Sequence, residues 1–326
     1  MNKLIKLLFV LLSLQLILTG IVFYSYGYLS AEPEINFLIK VKKDNIKKVI
    51  LEGPSNKKVE LENTDGNWVL PKKNNFPANS AQINQLLDRL IETKLGSKIS
   101  QQSSSHSRMR VSDQEFERKV TISNGKQEET TIFFGSAPSL RQSHARIMNK
   151  NEVYIVKFSA NDIDILPNDW LKKDIFVIQQ SQIKSIKYQN ITVDKLNDET
   201  TDKTDSKNPD GLGHIWKVTG LTKKKHSPEA LNAFINNLAD MRINGIASND
   251  EIKKIDKSKK PIRFDITLID NRKIFFELSK LAGEEDFLMF TSQKKGAYRL
   301  PPLYGKELIS SSKKKHLLGE RQKNLD

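Results

Sequence analysis

The chain has 326 residues, 37% of them hydrophobic, enough for one large or two medium globular units. It has no Cys, which excludes disulfides, thiolate nucleophiles, cysteine-ligated zinc and iron–sulfur clusters. The net charge of +14 arises from 42 Lys against 11 Arg, scattered through the chain. That pattern fits a solvated, Lys-biased surface and argues against nucleic acid as a partner, while an anionic polymer or lipid stays open.

Residues 1–6 form a short basic stub carrying Lys3 and Lys6. Residues 7–29, LLFVLLSLQLILTGIVFYSYGYL, then run for 23 residues without a charge. At about 1.5 Å per residue such a helix crosses a hydrocarbon core of about 30 Å. Tyr24, Tyr26 and Tyr28 cluster at its far end, where aromatic rings favour the headgroup boundary. The expectation is an uncleaved single-pass anchor in an inner (cytoplasmic) membrane, with the N-terminus inside and the bulk extracytoplasmic or periplasmic. The alternative is a cleaved signal peptide, whose apolar region is typically about 7–15 residues, and Ser25-x-Gly27 is a weak cleavage site for it. Residues 30–40 read as a linker.

From 41 to 178 the pattern predicts a first α+β repeat. IKKVILEG (46–53) and KKVELEN (57–63) are short β-rich runs around Gly53-Pro54-Ser55-Asn56, and DGNWVLP (65–71) is a third strand. Over 76–100 the period becomes helical: Ile83, Leu86, Leu87 and Leu90 line one face, with Ile91 continuing it. Asn79 stands as N-cap with Gln82 three residues on, a capping-box spacing, and Gly96 is the expected stop.

A second repeat is expected over 179–305. Its helix lies within 225–248, with Ser227 as N-cap, Pro228 at the first helical position and Gly245 near the end. Its apolar face, Leu231, Phe234, Ile235 and Leu238, is offset by 148 residues from Ile83, Leu86, Leu87 and Leu90. Trp216 stands at the same offset from Trp68, and Ser227 from Asn79. RKVTISNGKQEETTIFF (118–134) and HARIMNKNEVYIVKF (144–158) resemble RFDITLIDNRKIFF (263–276) and FLMFTSQKKGAYRLP (287–301). The predicted fold is therefore α+β: an N-terminal transmembrane helix, then a tandem duplication of an antiparallel β-β-β-α-β-β-β-β unit with one main helix packed on each sheet. Trp68 and Trp216 read as core residues pinning helix to sheet. Residues 195–211 read as a disordered acidic insertion, and 306–326 as a basic flexible tail.

Motifs for chemistry are missing. The sequence has no GxSxG, HExxH, GxxxxGK[ST] or GxGxxG, and the acids of 195–211 lack calcium-loop spacing. His106, His144, His214, His226 and His316 have no metal-pair spacing, and Ser143-His144 and Ser105-His106 are neighbours that point apart on a strand. Asp162 and Asp164 read as first-turn acids, with Ser159 or Asn161 as cap, and Glu284-Glu285-Asp286 as a solvated turn. No catalytic residue, cofactor site or metal site is assigned, and an envelope hydrolase is the least supported of the readings kept open.

The anchor, the K-[VI]-x-[LI]-x-G run from Lys48 to Gly53, the D-G-x-W turn, the capped helix, the Tyr-bearing strand and D-W-L-K-K-D-I-F (169–176) together resemble the domain-of-unknown-function 4340 family. The resemblance covers about 41–305, and the second copy departs from it in the acidic insertion and in lacking a clear D-W close. It implies a membrane-anchored extracytoplasmic protein associated with an ABC-type permease, its ATPase and a large extracytoplasmic subunit similar to gliding-motility auxiliary proteins. It carries over no catalytic residues. The expected role is thus a non-enzymatic accessory or scaffold, with binding of an anionic envelope polymer or lipid as the alternative.

Overall fold

The computed structural model describes residues 3–29, 36–125, 128–196, 216–221 and 226–319. The acidic insertion expected at 195–211 falls, from residue 197 on, outside the described residues.

The helix α1 (Lys3–Leu29) is followed by β1 (Lys48–Glu52), β2 (Lys58–Thr64), β3 (Asn67–Leu70) and the two-residue β4 (Phe76–Pro77). After α2 (Ser80–Glu92) come β5 (Leu95–Ser100), β6 (Arg118–Ser123), β7 (Glu129–Phe134), β8 (Ser143–Ile147) and β9 (Val153–Val156). The chain continues through β10 (Ile183–Tyr188), β11 (Ile191–Lys195), β12 (Trp216–Thr219), α3 (Pro228–Ala239), β13 (Gly245–Ile246) and α4 (Asn249–Lys253). It ends in β14 (Ile262–Leu268), β15 (Lys273–Lys280), β16 (Phe287–Thr291), β17 (Tyr298–Arg299), α5 (Tyr304–Ser311) and α6 (Lys314–Leu317). The protein is α+β, with antiparallel sheets and one apolar N-terminal helix.

Two compact units divide the chain: Met1–Lys57 with Asn84–Ile163, and Lys58–Ile83 with Asp164–Asp326. In the first unit the strands run β1-β6-β7-β8-β9-β5. In the second, β4-β3-β2 form one run and β12-β11-β10-β14-β15-β16-β17-β13 the other. Alternation decides which face is core: β1 buries Val49 and Leu51 and leaves Lys48, Ile50 and Glu52 half-buried.

Both main helices end with their apolar faces, short of the expected glycine stops at Gly96 and Gly245. The helix expected within 76–100 stops at Glu92, where the Thr93 hydroxyl donates to the Arg89 carbonyl at 2.6 Å. Residues 95–100, where the helix was expected to stop at Gly96, are β5 paired to β9, and Gly245-Ile246, near the expected end of the second helix, is a strand, β13, paired to β17. The expected β-β-β-α-β-β-β-β unit therefore gains a strand after each helix. Gly96 is not a helix stop but a close-approach residue: a Cβ there would lie 2.4 Å from the Ile155 carbonyl oxygen. Gly245 plays the same part, its Cβ position lying 2.6 Å from the Asn168 side chain.

The expected capping box at Asn79 is one-sided. The Asn79 side chain accepts from the Gln82 amide at 3.3 Å, but the Gln82 side chain donates to Asp164, and the Asn79 N–H donates to the Trp170 carbonyl. A reciprocal capping box stands instead at Ser248 and Glu251, starting α4. Ser227 caps α3 by accepting from the Ala230 N–H at 3.3 Å. Ala160–Asp162 form a 3-10 turn at whose N-cap position Ser159 makes no side-chain hydrogen bond. The tail expected to fray from 306 is helical through α5 and α6, which bury Leu308 and Leu317. Burial of those two apolar groups outweighs the local excess of lysine.

Glu251 also carries a pH-dependent contribution. The Ser248 N–H, then the Arg299 guanidinium, hold its carboxyl down to about 2, against an ordinary 4.5. A carboxyl depressed in the folded state stabilises above its unfolded pKa, and that stability is lost as pH falls through the folded one. Glu251→Gln should therefore cost about 1–2 kcal/mol at pH 6, allowing for the quarter-exposed side chain. The gap between variant and parent in urea midpoint should close between about pH 4.5 and pH 2. A gap independent of pH would remove the charge from this account.

Candidate functional site

β5 is an edge strand whose residues Gly96–Ile99 are exposed, and its register against β9 shifts twice. Asn36–Leu38, the described chain closest after α1, lies along the start of it: Leu38 donates to the Thr93 carbonyl and Leu95 to the Asn36 carbonyl, each at 2.8 Å. Two hollows adjoin the strand and share Leu95 as a wall.

The larger, about 620 Å³, lies at the C-terminal end of α2, with Leu95, Ile155 and Phe158 among its apolar lining and Arg89, Lys94, Lys157 and Glu92 as charged groups. Gly96 contributes backbone and Gln142 and Ser97 contribute polar groups. The Arg89 guanidinium sits 4.8 Å over the Phe158 ring and is ion-paired to Asp162. The smaller hollow, about 400 Å³, is lined by Phe37, Ile147 and Tyr154 with Lys40, Lys150 and Glu152. Lys94, Lys98, Lys150 and Lys157 are exposed and make no ion pair with a described residue. The site sets cationic side chains beside an apolar wall.

A third hollow, about 440 Å³, opens at the start of α2 between Asn79–Gln82 and Asp169, Leu171–Asp174 and Arg242. D-W-L-K-K-D-I-F is pinned there by its backbone, with Lys172 donating to the Pro77 carbonyl at 2.9 Å. The buried Trp170 indole donates to the Asp164 carbonyl at 3.1 Å. Burial first, then the Asp164 charge, raise the Asp169 carboxyl above its ordinary range.

Several of the other polar groups singled out in the sequence have structural partners. The fold brings His144 to Ser136 rather than Ser143, with Nδ1 3.0 Å from the hydroxyl. That hydroxyl also lies 3.2 Å from the Met109 carbonyl, and burial lowers the His144 pKa. His106 Nε2 is 2.9 Å from the Asn151 carbonyl. Glu285 pairs with Lys280 and Lys306, and Asp286 with Arg299. Among the described residues no three His, Asp or Glu side chains gather as a metal site; His214 lies outside them.

The residues singled out for the repeat core are all buried: Trp68 and Trp216, Ile83, Leu86, Leu87 and Leu90 on α2, and Leu231, Phe234, Ile235 and Leu238 on α3. Phe234 stacks at 5.1 Å on Tyr188 of β10 and at 5.9 Å on Phe264 of β14. Sequence reasoning missed Arg146 and the β5 face, because each depends on strands far apart in the chain. The one local signal for β5 was the lysine-flanked KLGSKIS segment, and its Leu95–Ile99 spacing mimics a helix.

Residues 68–261, more than half of the chain, match the family described as Domain of unknown function (DUF4340), and the protein belongs to that family. No curated protein and no solved structure matches it.

Proposed function

We propose that the protein is a non-enzymatic, membrane-anchored accessory or scaffold subunit of an envelope transport complex of the ABC type. Its N-terminus lies inside and its two β-rich units lie outside the cytoplasm. The observation that carries this reading is the helix segment Ile5–Tyr24, 20 residues long, apolar and with no part of it buried. An exposed apolar surface of that length is stable only against lipid or a partner helix. The resemblance to a family of transporter-associated anchored proteins supplies the expected partners, a permease and other extracytoplasmic subunits.

The body behind the anchor reads best as a tandem duplication. Six strands run β1-β6-β7-β8-β9-β5 in one sheet, and β10-β14-β15-β16-β17-β13 in the other repeats that order position for position. The pair β3-β2 likewise corresponds to β12-β11. Each copy places its capped helix between the third-strand equivalent and the strand that closes the far edge. A duplicated fold without duplicated chemistry suits a protein that presents surfaces.

A second reading, binding of an anionic envelope polymer or lipid, is favoured by the unpaired lysines around β5. The test of the first reading is affinity purification of the full-length chain from mildly solubilised native membranes. Co-purification of a permease and its ATPase is the expected result. Recovery of the chain alone, from membranes whose transport complexes are otherwise intact, sinks the scaffold reading.

A further inference from the structure

We propose that the β5 face of the first unit rests on the bilayer and takes an anionic phospholipid headgroup in its 620 Å³ hollow. The proposal builds on the anchored reading above and adds a surface and a ligand to it.

The first argument is reach. Only residues 25–35 separate the apolar segment Ile5–Tyr24 from Asn36, and Asn36–Leu38 are hydrogen-bonded along Thr93–Leu95. Residues 25–29 are the end of α1, at about 1.5 Å each, and residues 30–35 can reach at most about 3.6 Å each, so the tether spans at most roughly 30 Å. The strand that lines both hollows is therefore the part of the unit tied most directly to the membrane.

The second argument is charge. Lys94 and Lys157 at the larger hollow, and Lys40 and Lys150 at the smaller, outnumber Glu92 and Glu152, while Arg89 is neutralised by Asp162. Lysines held in water beside one another repel, and an anionic surface within a Debye length relieves that repulsion. The third argument is apolar exposure on the same unit: Phe37 is 40% exposed, Ile99 37% and Leu140 89%. Phe37 and Ile99 lie along the β5 edge, and Leu140 lies two residues before Gln142 of the larger hollow. Side chains of this type partition into the interfacial region of a bilayer.

The hollow itself fits a headgroup. Lys94 and Lys157 supply charge for a phosphate, Ser97 and Gln142 supply hydrogen bonds, and Leu95, Ile155 and Phe158 offer an apolar lining for the glycerol end. A purely solvated lysine face would need neither the hollow nor the exposed apolar groups beside it.

Because the chain has no Cys, a single Ile99→Cys carries an environment-sensitive nitrobenzoxadiazole label without background. The full-length labelled protein is reconstituted in vesicles of phosphatidylcholine alone, and in vesicles containing about one third phosphatidylglycerol. We expect a two- to threefold higher, blue-shifted emission in the anionic vesicles. The double variant Lys94→Glu/Lys157→Glu, whose sites are exposed and whose melting curve should match the parent, should abolish the rise. Equal emission in both vesicles, or a rise that survives charge reversal, overturns the proposal. Alkaline carbonate extraction reads the anchor separately. Release into the supernatant overturns the anchored reading and this proposal with it, whereas retention with an unresponsive label overturns this proposal alone.

Discussion

Arg146→Met should destabilise the first unit by about 2–4 kcal/mol, whereas Asp113→Asn should cost about 1 kcal/mol or less. The asymmetry follows from where each partner sits. Arg146 on β8 is 5% exposed, and its guanidinium lies 4.4 Å over the Phe133 ring. Its Nε donates to the Val111 carbonyl at 2.6 Å and one terminal nitrogen to the Lys150 carbonyl at 3.3 Å. The other pairs with Asp113, whose side chain is 70% exposed. Removing the arginine leaves the Val111 carbonyl without its donor in a cluster with Phe133 and Val153, and strips a cation from an aromatic face. Removing the Asp113 charge leaves the guanidinium with both carbonyls and the ring, and takes away only an ion pair that water already screens.

Chemical denaturation of the two variants checks this, with amide exchange over 105–117 as the local readout. Equal losses would mean that the ion pair, and not the carbonyl latch, holds that segment. Faster exchange confined to the segment around Val111 is the expected signature, because Arg146 is the side chain that ties it to β8.

Arg146 also marks the limit of what the sequence makes legible. The apolar helix α1, the one-sided faces of α2 and α3 and the Ser227 cap follow from periods and spacings confined to a few turns. They are visible because helical burial repeats every three or four residues. The strand β5 is not visible, because LGSKIS alternates poorly and Leu95 and Ile99 fall at a helical interval. Pairing with β9, with Gly96 close against Ile155, makes that segment a strand, and nothing local announces it. The tail was misjudged for a related reason: SSSKKKHLL looks solvated by composition, yet Leu317 and Leu308 are buried by contacts with distant residues. Tyr188, for example, donates to the Ser312 carbonyl at 3.0 Å across 124 residues of sequence. The β5 face was hidden for the same reason, since its lysines come from four separate segments. Trp68 and Trp216, by contrast, could be read directly from their shared offset of 148, and both are buried.

The second large effect belongs to the helix faces. Phe234→Ala should cost about 3–5 kcal/mol, and Leu86→Ala, at the position offset by 148, about 2–5 kcal/mol. Phe234 is fully buried and forms a ring triangle with Tyr188 and Phe264, whose own centroids are 5.2 Å apart. Truncating it opens a cavity walled by two rings held on β10 and β14, and strands in a sheet cannot collapse into it as a loose loop would. Tyr188 has a second tether through Ser312, so its ring is the less able to follow. A double-mutant cycle between Phe234→Ala and Tyr188→Leu should give a coupling of about 0.5–1.5 kcal/mol beyond the single effects. Denaturant unfolding provides all of these numbers. A Phe234→Ala loss below about 1 kcal/mol would mean that α3 is not held by this face, and the argument that α2 and α3 occupy one structural position in two copies would lose its energetic half. A large loss at Phe234 with little at Leu86 would confine the load-carrying contact to α3. Two large losses at positions 148 residues apart are what the proposed duplication predicts, because under it the side chains change while the buried helix face they fill is kept.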